Sequence, residues 1–434
     1  MKVDLAGAAA EVLDTGGPGR HPAGVCLGVA TPATGTVLAA TGWARRPDGP
    51  VPGEPMTTGT VFDLASVTKV AATTAVVMRL VAAGRLDLDA PVGRYLAGFR
   101  MKPLRRLRSG VWGSASRPQR RRRPSIADKT QVTAAHLLAH RSGLPPWWPL
   151  YCRTTDRGTA LDLAERLPLD TPPGTRRTYS DVGFMLLGRL VERATDTDLA
   201  TAFRRWVAGP LALTRTRYGP VPPEAAAVSS DGDGIEARMV DTGRPYPVPC
   251  ATADFTGWRT GPVRGAAADG NAAHALAGVG GHAGLFAPLD ELLRLARALV
   301  HDESFVPAAV RSRFLAAADS RSPEQGLGFR RFTLDTPRGP VPMVGHDGFT
   351  GTHVGVATDR PLALALAATR LHGTRTDRAG LVPVDHLSAA AHRGIVRALA
   401  EAGALPPHRP PAHTEQGEPL GRPGHTGPTT LESP

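Results

Sequence analysis

Lysine is rare in this chain and arginine is abundant, so each lysine asks for a reason. Only four occur, Lys2, Lys69, Lys102 and Lys129, and only Lys69 falls inside an apolar helical pattern, SVTKVAATTAVVMRLVAA over 66–83. Three residues before it stands Ser66. Residues i and i+3 share a helix face, so the ammonium of Lys69 lies against the hydroxyl of Ser66. A serine hydroxyl is a poor nucleophile until a base takes its proton. A partly desolvated lysine can exist neutral and do that, whereas arginine cannot be deprotonated in a protein. The helix start adds free N–H groups that stabilise developing negative charge. This chemistry is acyl transfer through a serine, with Ser66 as nucleophile and Lys69 as its base. The pair alone is weak: fifteen serines and four lysines in 434 residues give about 0.14 such spacings by chance. A helix-capping serine beside a snorkelling lysine explains it equally well.

The elements that must hold these residues can be read from periodicity. Residues 23–30 and 36–45 are β-rich runs joined by a short turn, which predicts a hairpin. Helical patterns follow at 66–83, 133–140, 181–194, 197–207 and 288–301, with a last helix near 385–402. β-type runs return at 340–344, 352–358 and 361–369, while 218–271 is rich in Gly, Pro, Asp and Ala and reads as long loops. Strands at both ends with helices between predict one α+β domain interrupted by a mostly helical insert. The divisions expected are a discontinuous core of 1–65 with 270–403, an insert of 66–269, a basic disordered insertion at 101–125 and a disordered tail at 404–434.

The formal net charge of +12 is local. Ten basic side chains and no acidic one fall between Arg100 and Arg123, which leaves +2 for the rest of the chain. Such a run reads as a solvated loop, with a nucleic-acid or anionic-surface tether as the minority reading. No uninterrupted apolar stretch reaches the ~18 residues of a membrane span, and the N-terminus lacks a secretory pattern. Cys26, Cys152 and Cys250 are far apart in sequence and show no metal spacing, so a reduced cytoplasm is expected. His136 and His140 have the i, i+4 spacing of zinc ligands, but HLLAH lacks the glutamate of that motif; capping or packing is expected. His282 in GGHAG reads as structural. Trp147, Trp148 and Tyr151 either line a pocket mouth or pack the insert on the core, and the tail histidines His408, His413 and His425 are too sparse for a metal.

Five motifs occur in order: FDLASVTKVAATT around Ser66, LLAHRSGLPPWWPLY at 137–151, TYSDVGFMLLG at 178–188, GVGGHAGLF at 278–286 and GHDGFTG at 345–351. Together they resemble the class C β-lactamase-like serine hydrolases, which include penicillin-binding peptidases, D-aminopeptidases and carboxylesterases. The resemblance spans roughly 18–100 and 128–400. It implies the serine β-lactamase/penicillin-binding-protein-like α+β fold, an antiparallel sheet flanked by helices with an inserted helical domain. By the same resemblance Ser66 is the nucleophile, Lys69 its partner, and Tyr179 the tyrosine of a Tyr-x-Asn motif that shares in proton transfer. His346, Asp347 and Gly348 match the triplet on the strand lining the site, and backbone N–H groups of Ser66 and Phe349 form the oxyanion hole. Two departures follow. Asp181 stands where β-lactamases have asparagine, replacing an amide donor by an acceptor-only carboxylate. His346 stands where they have lysine. Both weaken the expectation of an efficient β-lactamase. The activity implied is hydrolysis of a small ester or amide, with no metal or organic cofactor. The competing readings are a catalytically idle penicillin-binding-like sensor or scaffold, and a binder of nucleic acid or anionic surfaces. Substrate identity and oligomeric state stay open.

Overall fold

The computed structural model describes residues 2–17, 21–100, 128–373 and 380–408. The basic 101–125 segment and all but the first few residues of the 404–434 tail lie outside the described residues.

The first hairpin forms as its sequence dictates. Gly24–Thr31 and Gly35–Arg45 pair antiparallel from Gly24↔Gly42 to Thr31↔Gly35. All eight residues of Gly24–Thr31 are buried, because this strand lies inside the sheet with helices over both faces. Its other neighbour comes from the far end of the chain: Val25 is opposite Ala368 and Ala30 opposite Ala363. The seven strands run in the order Glu54–Pro55, Gly35–Arg45, Gly24–Thr31, Ala363–Ala368, Thr352–Ala357, Val341–Gly348, Arg330–Leu334. Every neighbouring pair is antiparallel. Strand alternation sends Val341 and Met343 into a core with the terminal helices Ala6–Leu13 and Val384–Glu401, and Val344 into the larger core on the opposite face. That larger core also holds Leu289–His301 and the helices between Ala65 and Val207. The architecture is the α+β arrangement expected, an antiparallel sheet with helices on both faces and a mainly helical section between its first and last strands.

The expected 66–83 helix is three geometries in series: a 3₁₀ turn at Ala65–Val67, a π-helical turn at Lys69–Thr74 and an α-helix at Ala75–Ala82. Irregular turns of this kind recur at functional sites. The stretch Ala65–Ala82 has a mean hydropathy of 1.4 over 18 residues, and 78% of it is buried within the protein. A core helix has this profile. The 218–271 region is not all loop: Gly234–Thr242 is a helix, and short strands occur at Arg217–Tyr218, Val228–Ser230 and Val263–Arg264. The cysteines far apart in sequence are not all apart in space, since the thiols of Cys152 and Cys250 are near enough to shift each other's titration, Cys152 upward and Cys250 downward.

Candidate functional site

Ser66 follows a backbone bend that few residues adopt. Ala65 has φ 45°, in the left-handed region that is strained for an alanine, and such strain persists only where surrounding contacts hold it. Those contacts are visible. Asp63 accepts the Ala65 N–H at 2.9 Å through one carboxylate oxygen and the Ala268 N–H at 2.7 Å through the other. The hydroxyls of Thr350 and Thr352 donate to the carbonyls of Asp63 and Leu64 at 2.9 and 3.0 Å. The turn carrying Ser66 is thereby latched to the end of the sheet and to the 268–270 loop. Burial pushes the Asp63 carboxyl up to about 6.

Lys69 is fully buried. Its ammonium donates to Ser66 Oγ at 2.8 Å and to the His282 carbonyl at 3.2 Å. The Tyr179 ring stands 5.0 Å from the ammonium, with its hydroxyl on the side of Lys69 and Ser66. The fourth neighbour is Asp181: Nζ lies 2.7 Å from Oδ1, close enough for a direct ion pair although not aligned as a conventional hydrogen bond. Burial alone drives a lysine towards the neutral form, but here the Asp181 carboxylate, 2.7 Å away, outweighs it and holds Lys69 above the ordinary lysine range. The resting side chain is an ammonium, not the neutral amine that desolvation alone predicts. Burial likewise raises Tyr179, although Lys69 opposes this, so the phenol keeps its proton at neutral pH.

Tyr179 and Asp181 reach Lys69 because Ser180 caps the helix Asp181–Thr195. Its Oγ accepts the Gly183 N–H at 3.0 Å and donates to the Pro145 carbonyl at 2.7 Å. The 140–146 loop fixes the rest: the Thr178 N–H donates to the His140 carbonyl, and the Asp181 N–H to that of Pro146, both at 2.8 Å. His140 Nδ1 accepts the Ser180 N–H at 3.1 Å, and its ring lies 4.5 Å from that of Tyr179. Burial holds His140 well below the ordinary histidine range, which keeps Nδ1 an acceptor. His136 completes a capping box with Thr133. Both histidines therefore do the packing and capping expected of them. The GGHAG segment supplies the site floor. A Cβ at Gly281 would collide with the Phe184 carbonyl, so glycine lets His282 approach Lys69.

His346 faces this cluster from the Val341–Gly348 strand, its ring 5.9 Å from that of Tyr179. Its Nδ1 donates to the Asp347 carbonyl at 2.7 Å, leaving Nε2 as a buried acceptor with no partner among the described residues. Burial, aided by Lys69, pulls its pKa down to about 3. His346 thus presents a neutral acceptor to the site. Alternation turns Asp347 to the other face, where it accepts from His353 Nδ1 at 2.7 Å and from Arg330. Gly348 leaves room for the Leu64 carbonyl. Phe349 lines the cleft.

The cleft encloses about 170 Å³ and brings together Ser66, Trp147, Tyr179, Asp181 and Phe349. Trp148 packs against the core, and Tyr151 lies behind the cleft wall, donating to Glu236 at 2.8 Å. Three lining residues, Asp233, Glu236 and Asp269, escape the sequence reading altogether. Asp233 and Glu236 belong to the start of Gly234–Thr242, a helix with one buried residue and so no apolar stripe to betray it. A larger hollow of about 570 Å³ around Thr31, Arg338 and Leu405 does not include Ser66 or Lys69 in its lining. Among the described residues no group of three His, Cys, Asp or Glu is placed to hold a metal ion.

Known proteins resemble this chain in sequence and in fold. The N-acetylmuramyl-L-alanine amidase of Bacillus subtilis (strain 168) is 29% identical over 339 residues, covering 73% of this chain and 69% of that protein. A putative D-alanyl-D-alanine carboxypeptidase of Escherichia coli (strain K12) is 27% identical over 363 residues, 77% of this chain and 76% of its own. Among solved structures, the D-amino acid amidase of Ochrobactrum anthropi SV3 superposes with a TM-score of 0.64 at 20% identity, covering 92% of this chain and 100% of that one. The hydrolase EstCE1 gives 0.61 at 18%, covering 90% and 97%. Residues 9–385 match the family described as Beta-lactamase. With the ordered motifs and the sheet closed from both chain ends, that match shows that this chain is a hydrolase belonging to the β-lactamase family.

Proposed function

We propose that the protein hydrolyses a small ester or amide through an acyl-enzyme on Ser66. The observation that carries this reading is the 2.8 Å contact between Ser66 Oγ and Lys69 Nζ at the wall of the cleft. In the resting state Lys69 and Tyr179 together hold one proton too many to act as a base. The active form is the one in which that pair has released a proton. Ser66 Oγ then attacks the substrate carbonyl, its proton passes to the pair, and the pair delivers it to the leaving nitrogen or oxygen. Water, activated by the same pair, releases the acyl group. Backbone N–H groups of Ser66 and Phe349 stabilise the oxyanion. The relatives named amidase, carboxypeptidase and hydrolase support amide and ester substrates. β-Lactams are poor substrates in this reading, because the Asp181 carboxylate cannot donate to a β-lactam amide and His346 offers no cation.

The test is covalent. A fluorophosphonate should label the wild-type protein once, on the tryptic peptide containing Ser66, and Ser66→Ala should abolish labelling. Labelling that survives in the mutant assigns the nucleophile elsewhere.

A further inference from the structure

Cys152 and Cys250 are far apart in the chain, and the fold lays their segments side by side. Cys152 ends the short turn Leu150–Cys152, and Cys250 lies in the stretch that follows the helix Gly234–Thr242. Contacts flank the two thiols on both sides. Arg153, one residue beyond Cys152, donates from Nη2 to the carbonyl of Pro249, one residue before Cys250, at 2.8 Å. Tyr151, one residue before Cys152, packs its ring 4.9 Å from that of Phe255 and 5.5 Å from that of Trp258. Between these contacts the two thiols are near enough that each alters the titration of the other.

The pair is asymmetric. Cys152 is 6% exposed and belongs to the core, whereas Cys250 is half-buried and packs against that core from outside. The neighbouring Cys152 thiol, aided by the charge of Arg153, holds Cys250 below the ordinary thiol range, and Cys250 in turn holds Cys152 above it. The thiolate is the form that reacts with oxidants, so the more accessible sulfur is also the one that ionises first. A reactive thiol with a second thiol beside it is the arrangement in which a sulfenic acid is captured as a disulfide. Cys26 is the internal contrast: it is buried in the strand Gly24–Thr31, and burial pushes its thiol up to about 12.

We propose that Cys152 and Cys250 are a site of reversible oxidation, at which a hydroperoxide converts the two thiols into a disulfide. The Cys250 thiolate attacks one peroxide oxygen and the O–O bond breaks. Cys250 becomes a sulfenic acid, and the other oxygen, with the proton the thiol gave up, leaves as water or an alcohol. The Cys152 sulfur then attacks the Cys250 sulfur, the S–O bond breaks, and hydroxide leaves with the Cys152 proton as water. The two thiols together lose two electrons, and the peroxide gains them. A thiol reductant reverses the step by exchange. The bridge ties the turn whose Tyr151 holds Glu236 on the cleft wall to the segment whose Tyr246 lines the same cleft. Oxidation therefore stiffens one wall of the cleft and leaves Ser66, Lys69 and Tyr179 chemically unchanged.

The test uses the full chain and hydrogen peroxide. Peroxide-treated protein, alkylated in denaturant, should carry one label, on Cys26, where the reduced protein carries three. A non-reducing peptide map should show the peptides of Cys152 and Cys250 joined, and dithiothreitol should separate them. Hydrogen exchange over 244–258 should slow roughly threefold or more in the oxidised wild type, and peroxide should not change it in Cys250→Ser. Cys152→Ala keeps the buried position apolar and removes the second thiol. In that variant dimedone should trap a sulfenic acid on Cys250, with a yield about tenfold above that on Cys152 in Cys250→Ser. Oxidised protein with no joined Cys152–Cys250 peptide, or with Cys26 consumed as fast as the other two, overturns the site. Unchanged exchange over 244–258 in protein that carries the bridge overturns its effect on the cleft wall. No arm reads hydrolysis, so the result stands or falls apart from the role of Ser66.

Discussion

The carboxylate of Asp181 lies 2.7 Å from the ammonium of Lys69, at the start of a helix whose cap also carries Tyr179. Asp181 therefore acts first on the lysine, by fixing its charge. Replacing Asp181 with asparagine removes the anion that raises Lys69, while burial continues to lower it. The alkaline rise of kcat/KM for an activated ester should move to lower pH, with about tenfold faster acylation at neutral pH for each pH unit moved. The asparagine also restores an amide donor, so nitrocefin turnover should rise relative to ester turnover. A pH profile that does not move would show that Lys69 does not titrate in the acylation step.

Lys69→Arg separates charge from proton transfer. Arginine keeps the cation for Asp181 but cannot become neutral. Because Lys69 is fully buried, the larger guanidinium also costs stability, about 1–3 kcal/mol. The folded variant should lose on the order of 10²–10⁴ in stopped-flow acylation rate. Acylation within tenfold of wild type, with circular dichroism as the folding control, would leave Tyr179 as the base.

Asp63→Asn tests the latch beneath Ser66. One of the two N–H groups, that of Ala65 or that of Ala268, then faces an amide NH₂ instead of an oxygen. Leaving that donor unpaired should cost about 1–3 kcal/mol. The strained turn at Ala65 should relax, lowering kcat more than it raises KM. A loss of thermal stability with kcat intact would make Asp63 a fold residue only.

Glu236 gives a stability signature with a definite sign. Its folded pKa is raised from 4.5 to about 8, so the folded state binds its proton more tightly than the unfolded one. Its contribution is fully present below pH 4.5 and is lost as pH rises towards 8. Glu236→Gln cannot ionise, so its Tm relative to wild type should climb across that window, by up to about 1.4 kcal/mol per pH unit in stability. A difference that is flat from pH 4.5 to 8 would mean that the carboxyl is not perturbed.

The legible part of this protein was what local spacing encodes. Ser66 and Lys69 one turn apart, the hairpin at 23–45 and the amphipathic 289–301 helix all follow from periodicity. The strand Arg330–Leu334 was missed because only Leu334 in it is buried. The helix bearing Glu236 was hidden among glycines and prolines for a similar reason. The charge state of Lys69 could not be read either. Desolvation is visible in an apolar sequence context, but the Asp181 that reverses it comes within 2.7 Å only through tertiary contacts. The same holds for Asp269, which meets the cleft by way of His282 and the loop tied to Asp63.

The pairing of Val25 with Ala368 sets a timetable for synthesis. At about 5–20 residues per second, roughly 20–70 s separate the two strands as they leave the ribosome. Throughout that interval Gly24–Thr31, buried along its whole length in the finished protein, has only one strand beside it and an open apolar edge on the other side. Ser66 and its helix emerge early but have no completed sheet to close on. A chain cut short before Ala363 would carry nearly every residue of the active site and still be a sticky, unfinished hairpin, so yield in the cell depends on what shields that edge until the last strand arrives.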